Sequence, residues 1–94
     1  MLFQVAMQIH IPHDADQEKI RNLSAAEMKL AQNLQRQGKW LHLWRVAGKW
    51  ANVSIFDVDS NDELHEILST LPLFPFMALE VTPLSKHPAS IAQS

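Results

Sequence analysis

The stretch "WLHLWRVAGKWANVSIFDV", residues 40–58, constrains the fold more than any other part of the chain. It holds two runs of β-branched and aromatic residues that meet at Gly48. Such runs favour strands, and a glycine between them supplies the positive φ that a tight hairpin turn requires. A two-residue turn falls at Ala47-Gly48 or at Gly48-Lys49. Either choice pairs odd positions of one strand with even positions of the other, so the two faces of the hairpin are set. One face collects Leu41, Leu43 and Arg45 with Trp50, Asn52, Ser54 and Phe56. The other collects His42, Trp44 and Val46 with Ala51, Val53 and Ile55, and is almost wholly apolar.

A hairpin with two apolar faces needs a cover on each. The flanking sequence supplies one. Residues 2–11 alternate, with Phe3, Val5, Met7, Ile9 and Ile11 on one side and Gln4, Gln8 and His10 on the other, which is a strand ended by Pro12. "HDADQEKI" opens a helix with Asp14 or Asp16 as its cap. That helix runs to about Gln37, and Gly38 stops it in the left-handed conformation. After the hairpin, Ser60 and Glu63 have the spacing of a capping box. The helix they start buries Leu64, Ile67 and Leu68 and ends at Pro72. "LFPF" is a proline-broken loop, "MALEVTPL" a last strand, and "SKHPASIAQS" a tail.

The order βαββαβ predicts an α+β, ferredoxin-like fold: a four-stranded antiparallel sheet with two helices on one face. The 94 residues form a single domain, with 86–94 as a C-terminal tail. The mixed hairpin face, apolar with a few polar groups, has the makeup of a ligand pocket and belongs under the helices. The apolar face then calls for a second chain, so a homo-oligomer is expected.

Composition removes several function classes. There is no Cys, hence no disulfide, thiolate metal site or cysteine nucleophile. Two Gly are too few for a phosphate-cradling loop, and a net charge of −2 gives no general pull toward nucleic acid. The N-terminus alternates and lacks the basic start of a signal peptide. The most apolar stretch, "LSTLPLFPFMALEV", is broken by Pro72 and Pro75 and is too short for a bilayer. A cytoplasmic protein without nucleic-acid or membrane partners is expected.

One residue of the first helix breaks its pattern. Ile20, Leu23, Leu30 and Leu34 mark one face at three-four spacing, and the member between Leu23 and Leu30 is Glu27. A carboxylate there points at the sheet, where Arg45, Asn52 and Trp50 are candidate neighbours. In an apolar pocket such a carboxyl has a raised pKa and suits general acid–base work. Two plainer accounts stand beside it. Glu27 and Arg45 form a structural ion pair, or the stripe is rotated so that Ala26 and Ala31 are central and Glu27 lies at the edge.

The other candidates are weaker. His10, His13, His42, His65 and His87 match no metal-ligand spacing. No serine sits in a nucleophile elbow. Trp40, Trp44 and Trp50 lack the basic groove of a base-stacking platform and fit core and interface better. "LPLFPF" is either a lip over a pocket or a rigid connector.

"MLFQVAMQI", "WLHLWRVAGKWANVSIFDV", "LPLFPFM" and "KHPASI" together resemble the muconolactone δ-isomerase family along nearly the whole chain. The resemblance implies dimers whose sheets face each other, and rings of such dimers that make a decamer. It implies a cofactor-independent enzyme of aromatic catabolism, in the β-ketoadipate pathway. Such an enzyme moves the ring double bond of a small lactone to give 3-oxoadipate enol-lactone. That reaction needs a base, donors near the lactone carbonyl and a cation for the acetate arm. Glu27 is the expected base, Asn52 and Trp50 with Ser54 the donors, and Arg45 the cation, with His42 or Lys49 as substitutes. Arg45 is expected to stand apart from Glu27, because a tight pair would weaken the base. A chloromuconolactone dehalogenase, a small cofactor-independent monooxygenase and a non-catalytic ligand-binding domain remain the alternatives.

Overall fold

In the computed structural model, which describes residues 1–91, the chain runs β1 (Leu2–Ile9), α1 (Gln17–Arg36), β2 (Trp40–Arg45), β3 (Ala51–Asp57), α2 (Asn61–Thr70) and β4 (Met77–Leu84). A single 3-10 turn, Phe74–Phe76, precedes β4. The strands form one sheet in the order β2-β3-β1-β4, and every pair is antiparallel. This is the expected ferredoxin-like arrangement. Residues 92–94, the end of the expected tail, lie outside the described residues.

Local chemistry sets the helix ends. Asp16 caps α1, its carboxylate accepting the N–H groups of Glu18 and Lys19 at 3.0 and 3.4 Å. At the other end Gly38 N–H donates to the Gln35 carbonyl and Lys39 N–H to the Leu34 carbonyl, both at 3.1 Å. That paired closure needs a left-handed residue, and Gly38 has φ +76°. Ser60 caps α2 by accepting Glu63 N–H at 3.1 Å. The Glu63 carboxylate reaches one residue further back than the expected box, to Asp59 N–H at 3.0 Å. It also meets the Lys39 ammonium at 3.2 Å, and these contacts hold its pKa below the usual range. The start of β2 is thereby tied to the start of α2.

The core lies between the helices and one face of the sheet. Phe3, Val5 and Met7 of β1 are buried there with Ala31 and Leu34 of α1, Leu64 and Leu68 of α2, and Phe56 of β3. The alternation of β1 therefore reads true, although pairing ends at Ile9 and not at residue 11. The last bond runs from His10 N–H to the Phe76 carbonyl at 2.7 Å.

The hairpin departs from expectation in two places. Its connection is longer than two residues: Val46 N–H donates to the Ala51 carbonyl at 2.9 Å, and residues 47–50 form the loop. Within it Lys49 N–H donates to the Val46 carbonyl at 3.1 Å, with Gly48 at φ +80°. The register, Arg45 opposite Asn52 and Leu43 opposite Ser54, is nevertheless the one a Gly48-Lys49 turn gives. The face grouping survives for that reason. The second departure is a bulge between Trp40 and His42. It turns Leu41 outward and seats Trp40 on Phe56, with ring centroids 4.7 Å apart. Burying the indole removes more apolar area from water than burying Leu41 would.

The mixed hairpin face lies under the helices, as its polar content suggested. The other face is open. Trp44 is 66% exposed there and stacks with His42 at 6.4 Å. Only the hairpin half of this face is apolar, since β1 and β4 add Gln4, Gln8, Glu80 and Thr82.

Candidate active site

A cavity of about 450 Å³ opens between α1 and the loop end of the hairpin. Glu27, Arg45, Trp50 and Asn52 line it together with Trp40 and Leu73. Three elements deliver these groups. α1 brings Glu27, the paired ends of β2 and β3 bring Arg45 and Asn52, and the segment after α2 brings Leu73.

Glu27 sits where the stripe places it. Ile20 and Leu34 are buried at the ends of the face, with Leu23, Glu27 and Leu30 half-buried between them. Ala31 is buried but Ala26 is exposed, so the face is shifted slightly and not rotated away. The Glu27 carboxylate accepts the N–H of Leu73 at 2.9 Å. Burial raises its pKa, and the Leu73 bond opposes that rise only in part. Two ion pairs occur among the described residues, Met1 ammonium with Asp57 and Lys39 with Glu63. Neither involves Glu27 or Arg45, so the structural ion-pair account fails and the two stand apart.

Asn52 is half-buried, and its side-chain oxygen accepts the Ser54 hydroxyl at 2.8 Å. Trp50 lies in the loop and not in β3, and at 45% exposed it forms the rim of the cavity. Two expected residues are displaced. Ser54 is fully buried behind Asn52 and is not part of the cavity wall. His42 points to the open face, because it pairs with Ile55 one position out of phase with Arg45 and Leu43. It does not reach the cavity of its own chain. Lys49 is also absent from this wall and borders a shallower depression on the open face.

Leu73 is the contributor that sequence reasoning missed. Its part is a backbone N–H, which carries no side-chain signature. The nearest signal was the pair Pro72 and Pro75, which break the helix and leave amides free of intrahelical bonds. "LPLFPF" is thus connector and lip at once: Leu71 and Leu73 are buried, and Leu73 borders the cavity. Among the described residues no three His, Asp or Glu side chains converge on a point that would hold a metal ion.

A ferredoxin-like sheet carrying one half-buried acid opposite a cation and an amide defines a class of small α+β proteins fitted for proton transfer on an anionic ligand. Comparison with known proteins narrows the class. A family model described as muconolactone delta-isomerase matches residues 1–90. The chain is 54% identical over 91 residues to the muconolactone delta-isomerase of Cupriavidus pinatubonensis, covering 97% of this chain and 99% of that one. It is 50% identical over 91 residues to that of Acinetobacter baylyi, covering 97% and 95%. A crystal structure of muconolactone isomerase superposes with a TM-score of 0.94 at 52% identity, covering 100% of this chain and 98% of the other. The chain belongs to the muconolactone delta-isomerase family.

Proposed function

We propose that this protein isomerises muconolactone to 3-oxoadipate enol-lactone with Glu27 as the base. The observation that carries this reading is the placement of Glu27. It is half-buried with a raised pKa, has no cationic partner among the described residues, and shares one cavity with Arg45 and Asn52.

The substrate is an unsaturated five-membered lactone with an acetate arm. Glu27 removes the proton from the ring carbon that bears the arm. The electrons spread into a dienolate whose charge rests largely on the lactone oxygen. The proton returns to the carbon next to the carbonyl, so substrate and product have the same atoms. A carboxylate of raised pKa is a stronger base than an ordinary one, which suits it to taking a proton and returning it. The Leu73 N–H occupies one carboxylate oxygen and leaves the other for the substrate. Asn52 N–H and the Trp50 indole N–H meet the developing oxyanion. Arg45 grips the acetate through its guanidinium, and the separation from Glu27 keeps both groups available. No step calls for a cofactor.

The test is direct. Muconolactone incubated with the protein, followed by NMR, is expected to convert to the enol-lactone. Absence of conversion at high protein concentration would refute the assignment.

The exposed Trp44 and the apolar hairpin half around it support a second copy packed on the open face; assembly of such dimers into a decamer rests on the family resemblance alone. Trp44→Lys is then expected to shift the mass measured by light scattering toward a smaller species, and an unchanged mass would contradict this packing. The same reading places the reaction in aromatic catabolism, within the β-ketoadipate pathway, and takes the chain as a single-domain cytoplasmic enzyme. No helix among the described residues is long and apolar enough to cross a membrane.

A further inference from the structure

We infer that Ser54 is a positioning residue that makes Asn52 a hydrogen-bond donor toward the cavity. The inference deepens the proposed function and rests on it. Ser54 is fully buried, and its hydroxyl donates to the Asn52 side-chain oxygen at 2.8 Å. Its cross-strand neighbours are Leu43 on β2 and Val5 on β1, which offer no side-chain acceptor. A buried hydroxyl hydrogen must find an acceptor, and among the described residues the Ser54 hydroxyl donates to the Asn52 oxygen.

That single bond decides how the amide faces. With its oxygen held by Ser54, Asn52 has its NH₂ group left for the cavity it lines. The reversed amide would leave the Ser54 hydrogen without an acceptor. It would also turn a carbonyl oxygen toward the place where the dienolate gathers negative charge. Such a site would repel the transition state that a donor would stabilise. Ser54 therefore acts through Asn52, two residues earlier on the same face of β3, and touches no substrate itself.

A double-mutant cycle with an independent spectroscopic readout tests this. Ser54→Ala is expected to lower kcat roughly tenfold with little change in KM, a modest part of what an oxyanion donor supplies. Ser54→Thr, which keeps the hydroxyl, is expected to retain most of the activity. In an Asn52→Ala background, itself impaired, Ser54→Ala is expected to cost nothing further. In the NMR spectrum of the free protein, the two side-chain amide protons of Asn52 are expected to shift and broaden in Ser54→Ala but not in Ser54→Thr. An equal Ser54→Ala penalty in both backgrounds, or an unshifted Asn52 amide, would overturn the positioning role and leave the isomerase assignment standing. Wild-type activity in Asn52→Ala would instead refute the donor role of Asn52, and the role of Ser54 with it.

Discussion

At the scale of single residues, the site turns on a carboxyl that the fold holds against its preference. The native state raises the pKa of Glu27 by burying it. The folded chain therefore holds this proton more tightly than the unfolded chain, whose carboxyl titrates at about 4.3. As pH rises from that value through the raised native value, this group makes folding progressively less favourable. Glu27→Gln removes the effect and keeps an oxygen for Leu73 N–H. The variant is expected to melt above the native protein at pH 7, with the gap closing below about pH 4. A gap independent of pH would mean that Glu27 is not strained by burial. The same raised pKa sets the acid limb of kcat/KM above the ordinary carboxylate range. Arg45 serves binding in this account, so Arg45→Ala is expected to raise KM at least about tenfold, the loss of a charge-assisted bond, with a smaller effect on kcat. A defect confined to kcat would place Arg45 on the transition state instead. Glu27, Arg45 and Asn52 were legible because periodicity assigns side chains to faces. Leu73 was not, since a backbone amide has no letter of its own. His42 already fell on the apolar face in the hairpin grouping, and the structure keeps it there, so its chemistry suited a pocket that its register does not reach.

At the scale of elements, short-range chemistry carried most of the fold. Asp16, Gly38, Ser60 and Pro72 each act within a few residues, and each marks a boundary that the structure keeps. The bulge at Leu41 was hidden because it depends on the fit of Trp40 against Phe56, a contact between strands. The four-residue hairpin loop was hidden because local sequence fixes where Gly48 turns but not how many residues follow before pairing resumes. The cap of α2 offers a test away from the site. Ser60→Ala removes the acceptor of Glu63 N–H and is expected to cost about 1 kcal/mol of stability. A lower urea midpoint at unchanged slope, with kcat preserved, checks this. A loss of kcat in a folded variant would show that the α2 cap governs how Leu73 holds Glu27.

At the scale of the whole molecule, the βαββαβ order makes the site possible. It crosses α1 over the mixed face of the hairpin and brings the end of α2 back beside Glu27. The chain thereby brings Glu27 into one cavity with Arg45, Trp50 and Asn52. The open face follows from the same topology, since both helices are spent on the other side. The turnover of muconolactone by Glu27→Gln, measured beside the native protein under the same conditions, tests the central claim most directly. Loss of the general base is expected to lower kcat by at least about a hundredfold in a variant that folds and assembles like the native protein. Turnover at the native rate in that variant would contradict the account, because no other carboxylate or imidazole among the described residues lines the cavity.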